Sequence, residues 1–199
     1  EIIAKEFDGI FKSYARFGTS VVVLKDQSRI DVAMARMESY SFPGALPKVE
    51  PSSLDKDLSR RDFTINSMAV KLSGEGAFSL IDYFNSEKDL KAGSIRVLHN
   101  QSFIEDPCRI FRAIRFEQRF RFCIEDQTKD FMRSAIDNNL VDQLSGTRLM
   151  NEIRLILREP APMGCLDRMR EFSLLKFLAP NISNNDSHWF VVKKIDNAL

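Results

Sequence analysis

Apolar residues recur along this chain in two rhythms, and the change between them comes near residue 100. Before that point the runs are short. Residues 1–12 place Ile2, Ile3, Phe7 and Ile10 or Phe11 at helical spacing, which predicts a short first helix. Thr19 to Leu24 and Ile30 to Ala35 are apolar, largely β-branched runs separated by the polar turn Lys25 to Ser28, the pattern of a β-hairpin. Residues 39–53 carry three prolines, Gly44 and four serines without periodicity, and predict an exposed, mobile loop. Ser53 is placed as the N-cap of a short helix running towards Asp62. The tail of 63–72, a turn at 73–76 and the run Phe78 to Tyr83 predict a second hairpin, followed by a polar helical turn over 86–91 that Gly93 ends and a short apolar segment over 95–98. Beyond Asn100 the strand signals give way to amphipathic helices over about 104–120, 125–138, 145–158, 163–172 and 186–199. The whole reads as an α+β fold, mixed over 1–100 and all helical over 101–199.

Composition narrows the partners. At 44% hydrophobic, 199 residues can bury one large core or two small ones. A formal net charge of +1 leaves no global positive field, so contact with nucleic acid must come from local clustering. One cluster stands out: Glu105 to Arg121 holds five arginines against three acids. The three cysteines, Cys108, Cys123 and Cys165, show no paired metal spacing and read as reduced thiols of a cytoplasmic protein. There is no apolar run near eighteen residues and no signal-peptide pattern at the start, so a soluble chain without a membrane partner is expected.

Within the arginine cluster, Ile110, Phe111, Ala113 and Ile114 fall on one arc of a helical wheel and Arg109, Arg112 and Arg115 on the other. Asp106 and Arg109 are three residues apart, which sets a carboxylate acceptor beside a guanidinium donor near the helix start. Such a pair matches an exocyclic amine next to an unprotonated ring nitrogen, the edge shown by cytosine and adenine; uracil and guanine show the reverse. An intrahelical salt bridge is the plainer reading of the same spacing. A second constellation is Arg60, Arg61, Asp62 and Asn66, where guanidinium forks suit phosphate oxygens and a carboxylate or amide suits a ribose hydroxyl; a solvated basic helix end is its plainer reading. Asp31, an acid inside a predicted strand, is a candidate Mg²⁺ ligand and catalytic carboxylate. Asp55 and Asp57 sit in a helical first turn and read as structural, as do the many phenylalanines of the helical half.

Taken in order, RFGTSVVV at 16–23, RIDVAMARMESY at 29–40, PGALP at 43–47, RRDFTINSMAV at 60–70, LIDYF at 80–84, EDPCRIFRAIRF at 105–116 and GTRLMNEIRLIL at 146–157 resemble the class II tRNA nucleotidyltransferase and bacterial poly(A) polymerase family. The resemblance spans nearly the whole chain, and the 60–70 and 105–116 motifs are its most specific parts. It implies a partial polymerase-β-type nucleotidyltransferase head over 1–100 and a helical neck and start of body over 101–199. It also implies untemplated addition of ATP and/or CTP to an RNA 3′ end, with tRNA as the expected RNA. By the same resemblance, Arg61, Asp62 and Asn66 match the motif around the triphosphate and ribose, Asp106 and Arg109 the amino-acid template for the base, and Arg112 and Arg115 the neck arginines facing the nucleotide. The family's Gly-Gly turn and Asp-x-Asp strand, which hold its two Mg²⁺ ions, would lie upstream of Glu1. The resemblance therefore implies a chain that starts just after the metal-binding strand and is close to inactive alone, with Asp31 matching a carboxylate on the neighbouring strand. A catalytically silent nucleotide- or RNA-binding module is the alternative. The Asp-Arg pair accepts both C and A, so CCA, a single A and a poly(A) tail all stay open as products.

Overall fold

The computed structural model describes residues 1–14 and 18–178, so the expected helix at 186–199 lies outside the described residues. By packing, the chain divides into two units: Glu1–Ser39 with Pro47–Arg60, and Tyr40–Leu46 with the described residues from Arg61 onwards.

In the first unit a short helix α1 (Ile2–Glu6) precedes an antiparallel sheet of β1 (Ile10–Tyr14), β2 (Thr19–Val23) and β3 (Arg29–Ala33), in that order. The predicted hairpin is β2–β3, with Val21 opposite Asp31 and Val22 opposite Ile30. The predicted first helix is too long: it stops at Glu6, and Ile10 and Phe11 belong to a strand paired with Val23 and Val22. Local spacing in so short an apolar run does not distinguish the two states, and pairing with a β-branched neighbour decides it. A second antiparallel pair, β4 (Arg36–Ser39) with β5 (Lys48–Pro51), leads into α2 (Leu54–Ser59). Asp57 is buried and accepts from Arg36 N at 3.2 Å and from Arg60 Nη2 at 2.7 Å, so it is structural, as expected. Arg60 also reaches Glu38 at 2.8 Å.

The second unit contains the main core. A turn at Thr64–Asn66 leads into the hairpin β6 (Met68–Val70) and β7 (Leu80–Asp82), then α3 (Ser86–Ala92). Gly93 ends α3 with φ +65°, a left-handed conformation that costs glycine little. Strand β8 (Ser94–Ile95) pairs in parallel with β9 (Cys123–Ile124), a small strand after residue 100 where the pattern predicted helices alone. The rest is helical: α4 (Ser102–Glu105), α5 (Cys108–Phe120), α6 (Asp126–Asp137), α7 (Gly146–Leu157) and α8 (Pro162–Glu171). Helix α5 is central and packs against α4, α7 and α8. Its Ile110, Phe111, Ala113 and Ile114 are completely buried among Phe63, Phe103, Met132, Ile156 and Met169.

The predicted loop at 39–53 needs correction at both ends of its character. Residues 48–51 are a strand, and Gly44 and Ala45 are buried. Gly44 donates its N–H to Glu105 O at 3.3 Å and takes φ +73°. Backbone hydrogen bonding, which leaves no hydrophobic period, holds this stretch in place.

Candidate functional site

The start of α5 organises the site. Pro107 occupies the entry of the helix with φ −61°, and Asp106 before it is extended, so its side chain can fold back over the first turn. Asp106 Oδ1 accepts from Cys108 N at 3.0 Å and from Arg148 Nη2 at 2.8 Å. In this structure the Asp106 carboxylate is thus paired with Arg148. Arg109 is turned towards α4, where Nη1 donates to Ser102 O at 3.4 Å and lies 4.0 Å from Glu105 Oε2.

The arginine face of α5 is not the open front that the helical wheel suggests. Arg109 and Arg115 are only 4% and 7% exposed. Arg115 Nη1 donates to Glu159 Oε1 at 3.2 Å, and its guanidinium lies 4.8 Å from the Phe116 ring centre. Periodicity identifies which side of a helix is polar, whereas neighbouring helices decide whether that side meets water. Here the neighbouring segments bring carboxylates, and buried guanidinium groups require such partners.

The second motif meets the first through Asp62 and Arg112. Arg112 Nε donates to Asp62 Oδ2 at 2.8 Å and its Nη2 binds the same oxygen. Asp62 Oδ1 accepts from Phe63 N and from Asn66 Nδ2, each at 2.9 Å. Phe63, fully buried, sets its ring edge-on to Phe116 at 5.9 Å. Arg61 is exposed, and its Nη1 reaches Asn66 O at 3.1 Å. The adjacent arginines therefore divide: Arg60 is engaged with Asp57 and Glu38 in the first unit, and Arg61 belongs to the second.

Three residues here carry chemistry that the sequence reading did not assign. Arg148 and Glu152 are four apart in GTRLMNEIRLIL, so one face of α7 presents both, a signal available from spacing alone. Burial raises the Glu152 carboxyl above its ordinary value, with the charges of Arg112 and Arg115 pulling the other way, and among the described residues Oε2 has no hydrogen-bond partner. His99 Nε2 lies 3.6 Å from Glu105 Oε2, and burial lowers its pKa.

Asp31 lies in the first unit on exposed β3, bound to Arg29 Nη2 at 2.6 Å. Among the described residues no three His, Cys, Asp or Glu side chains gather in a way that would hold a metal ion. The carboxylates of the described residues therefore do not fit a two-metal Mg²⁺ centre, and one acid paired with an arginine does not replace it.

Comparison with known proteins agrees along both units. Residues 1–96 match the Poly A polymerase head domain, and residues 121–185 match the domain described as "Probable RNA and SrmB- binding site of polymerase A". The chain is 51% identical over 182 residues to an A-adding tRNA nucleotidyltransferase of Geobacter sulfurreducens, with 92% of the chain and 21% of that protein covered. It is 35% identical over 179 residues to the enzyme of that name from Halalkalibacterium halodurans, covering 88% of the chain and 42% of that protein. The chain thus spans less than half the length of either relative. Among solved structures, an apo CCA-adding enzyme superimposes with a TM-score of 0.87 at 44% identity, over 93% of this chain and 44% of that one. A tRNA nucleotidyltransferase bound to a primer tRNA and an incoming ATP analogue gives 0.82 at 35% identity, over 94% and 52%.

Proposed function

The chain belongs to the family of tRNA nucleotidyltransferases and bacterial poly(A) polymerases, and from that membership we propose that it serves untemplated addition of ATP and/or CTP to an RNA 3′ end, with tRNA as the RNA. The observation that supports the reading is the Asp62–Arg112 link, a direct contact between the 60–70 and 105–116 motifs.

In this reading Arg61 neutralises triphosphate oxygens, since it is the exposed guanidinium of its motif and phosphate is the anion its fork fits. Asp62 and Asn66 hold the ribose end, and their mutual hydrogen bond at 2.9 Å keeps the pair in one orientation. Asp106 accepts from the exocyclic amine of adenine or cytosine while Arg109 donates to the ring nitrogen beside it. Arg112 and Arg115 line the nucleotide side of α5, each held by a carboxylate, Asp62 and Glu159. Mg²⁺, when bound, would neutralise developing charge on the transferred phosphoryl group. Asp31 is a supporting acid at most. The chain's residues select and orient the nucleotide.

The test is incorporation of ATP, CTP, UTP and GTP by the full-length protein onto tRNA lacking its 3′ end. Asp106→Ala should lose discrimination worth about 1–3 kcal/mol between ATP or CTP and the other two while the protein stays folded. An unchanged preference would eliminate the base-reading role of Asp106. Nucleotide binding with no incorporation would return the silent-module reading.

A further inference from the structure

Helix α5 carries its arginine face beyond Arg115. Arg112 and Arg119 are two turns apart on one face, about 10 Å along the axis at about 1.5 Å per residue. Arg109 and Arg115 are buried, whereas the Arg119 side chain is 52% exposed. Arg119 lines a cleft of about 390 Å³ whose walls include Gln118, Arg121, Glu159, Pro160 and Ala161. The described lining thus holds two guanidinium groups and one carboxylate. That carboxylate is already engaged, since Glu159 Oε1 accepts from Arg115 Nη1 at 3.2 Å and lies 3.6 Å from Arg119 Nη1. Arg121, exposed at the C-cap of α5, has no ion pair among the described residues. Ala161 is the N-cap of α8 and offers no capping side chain, and the first turn of that helix has no acid, so its end adds to the positive potential.

We propose that this cleft binds backbone phosphates of the RNA whose 3′ end is extended, with Arg119 and Arg121 as its anion-binding groups. The inference rests on the proposed action at an RNA 3′ end. Cations in excess of carboxylate select an anion, and a guanidinium fork fits phosphate oxygens. Because Arg115 holds Glu159 at the shorter distance, Arg119 can turn to a phosphate while the buried acid keeps a partner. Free pyrophosphate offers the same oxygens, and two features favour a strand over it. Arg112, on the nucleotide side in this reading, shares a helix face with Arg119, so a strand whose end reacts beside Arg112 can run along α5 to the cleft. At about 3.4 Å per nucleotide of a stacked strand, about 10 Å of helix spans about three phosphates. The half-exposed Phe120 ring, 5.7 Å from the Arg119 guanidinium, supplies a face on which a base can stack. A bare anion has no use for it.

The experiment compares Arg119→Gln, Arg121→Gln, the two together, and Arg119→Lys with Arg121→Lys, all in the full-length protein. It reads the Kd of tRNA lacking its 3′ end over a series of salt concentrations, the Kd of ATP and of inorganic pyrophosphate, and Tm. The double glutamine variant should weaken tRNA about tenfold at low salt and reduce the slope of log Kd against log salt by about 0.7 for each arginine, as for single-strand phosphate contacts. ATP affinity and Tm should stay as in the wild type, because exposed cations add little to stability. The double lysine variant should recover most of the tRNA affinity, since the charge is kept and only the fork is lost. Should the glutamine pair fail to fold, the single variants carry the same test through their salt slopes. An unchanged tRNA Kd and slope overturns the proposal, and so does equal weakening of tRNA and ATP. A loss confined to pyrophosphate also overturns it, by making the cleft a site for the free anion. Wild-type protein that incorporates no nucleotide, with tRNA affinity still lost in the double glutamine variant, would overturn the proposed function and support this site.

Discussion

Arg112 and Asp62, fifty residues apart, share a hydrogen bond of 2.8 Å from Nε and a second from Nη2 to the same carboxylate oxygen. The Asp62 side chain is 9% exposed and that of Arg112 31%, so each is costly to leave alone. Asp62→Ala should therefore cost about 2 kcal/mol by urea unfolding, since it strands a guanidinium and removes the acceptor for Phe63 N and Asn66 Nδ2. Adding Arg112→Ala should cost little more. Simple additivity of the two in a double-mutant cycle would contradict the link.

Arg61 offers the contrast to Asp106. A phosphate contact carries no base information, so Arg61→Ala should weaken ATP, CTP, UTP and GTP by about the same factor. A base-selective loss, measured as four Kd values, would mean that the two motifs have exchanged roles.

Glu152 links folding to pH. Its native value is raised by burial, so the folded chain keeps this proton to a higher pH than the unfolded chain, and stability falls as pH rises through the native value. Glutamine carries no such penalty. Glu152→Gln should raise Tm near neutral pH, with the gain shrinking as pH falls towards the unfolded carboxyl value; a gain that grows on acidification would reverse the sign.

The cysteines should separate by reactivity. Burial pushes the Cys108 thiol up to about 12 and that of Cys165 up to about 11, whereas Cys123 is exposed. Thiolate is the reactive form, so mass spectrometry after native iodoacetamide treatment at mildly alkaline pH should find Cys123 modified and the other two protected until the protein unfolds.

Helices α6, α7 and α8 follow the 3.6-residue period within a residue or two, and the β2–β3 and β6–β7 hairpins follow the apolar runs and their turns. Burial of Phe103, Phe111 and Phe116 follows the same rule. Those features are encoded over a few neighbouring residues, where spacing and side-chain shape are enough. The motifs likewise name Asp62, Asp106 and the α5 arginines as chemically marked positions, and the family membership is written in their order. Their partners are another matter. Asp106 meets Arg148 across 42 residues and Arg148 meets Gly44 across 104, through contacts that leave no periodic trace. Arg115 reads as a surface cation until Glu159 and Phe116 enclose it. Tyr40–Leu46 reads as a loop because backbone groups, which every residue carries alike, do its packing. Side-chain pattern is a local record of which face is greasy; whether a charge is buried, and which opposite charge makes that burial tolerable, is settled only when distant segments meet.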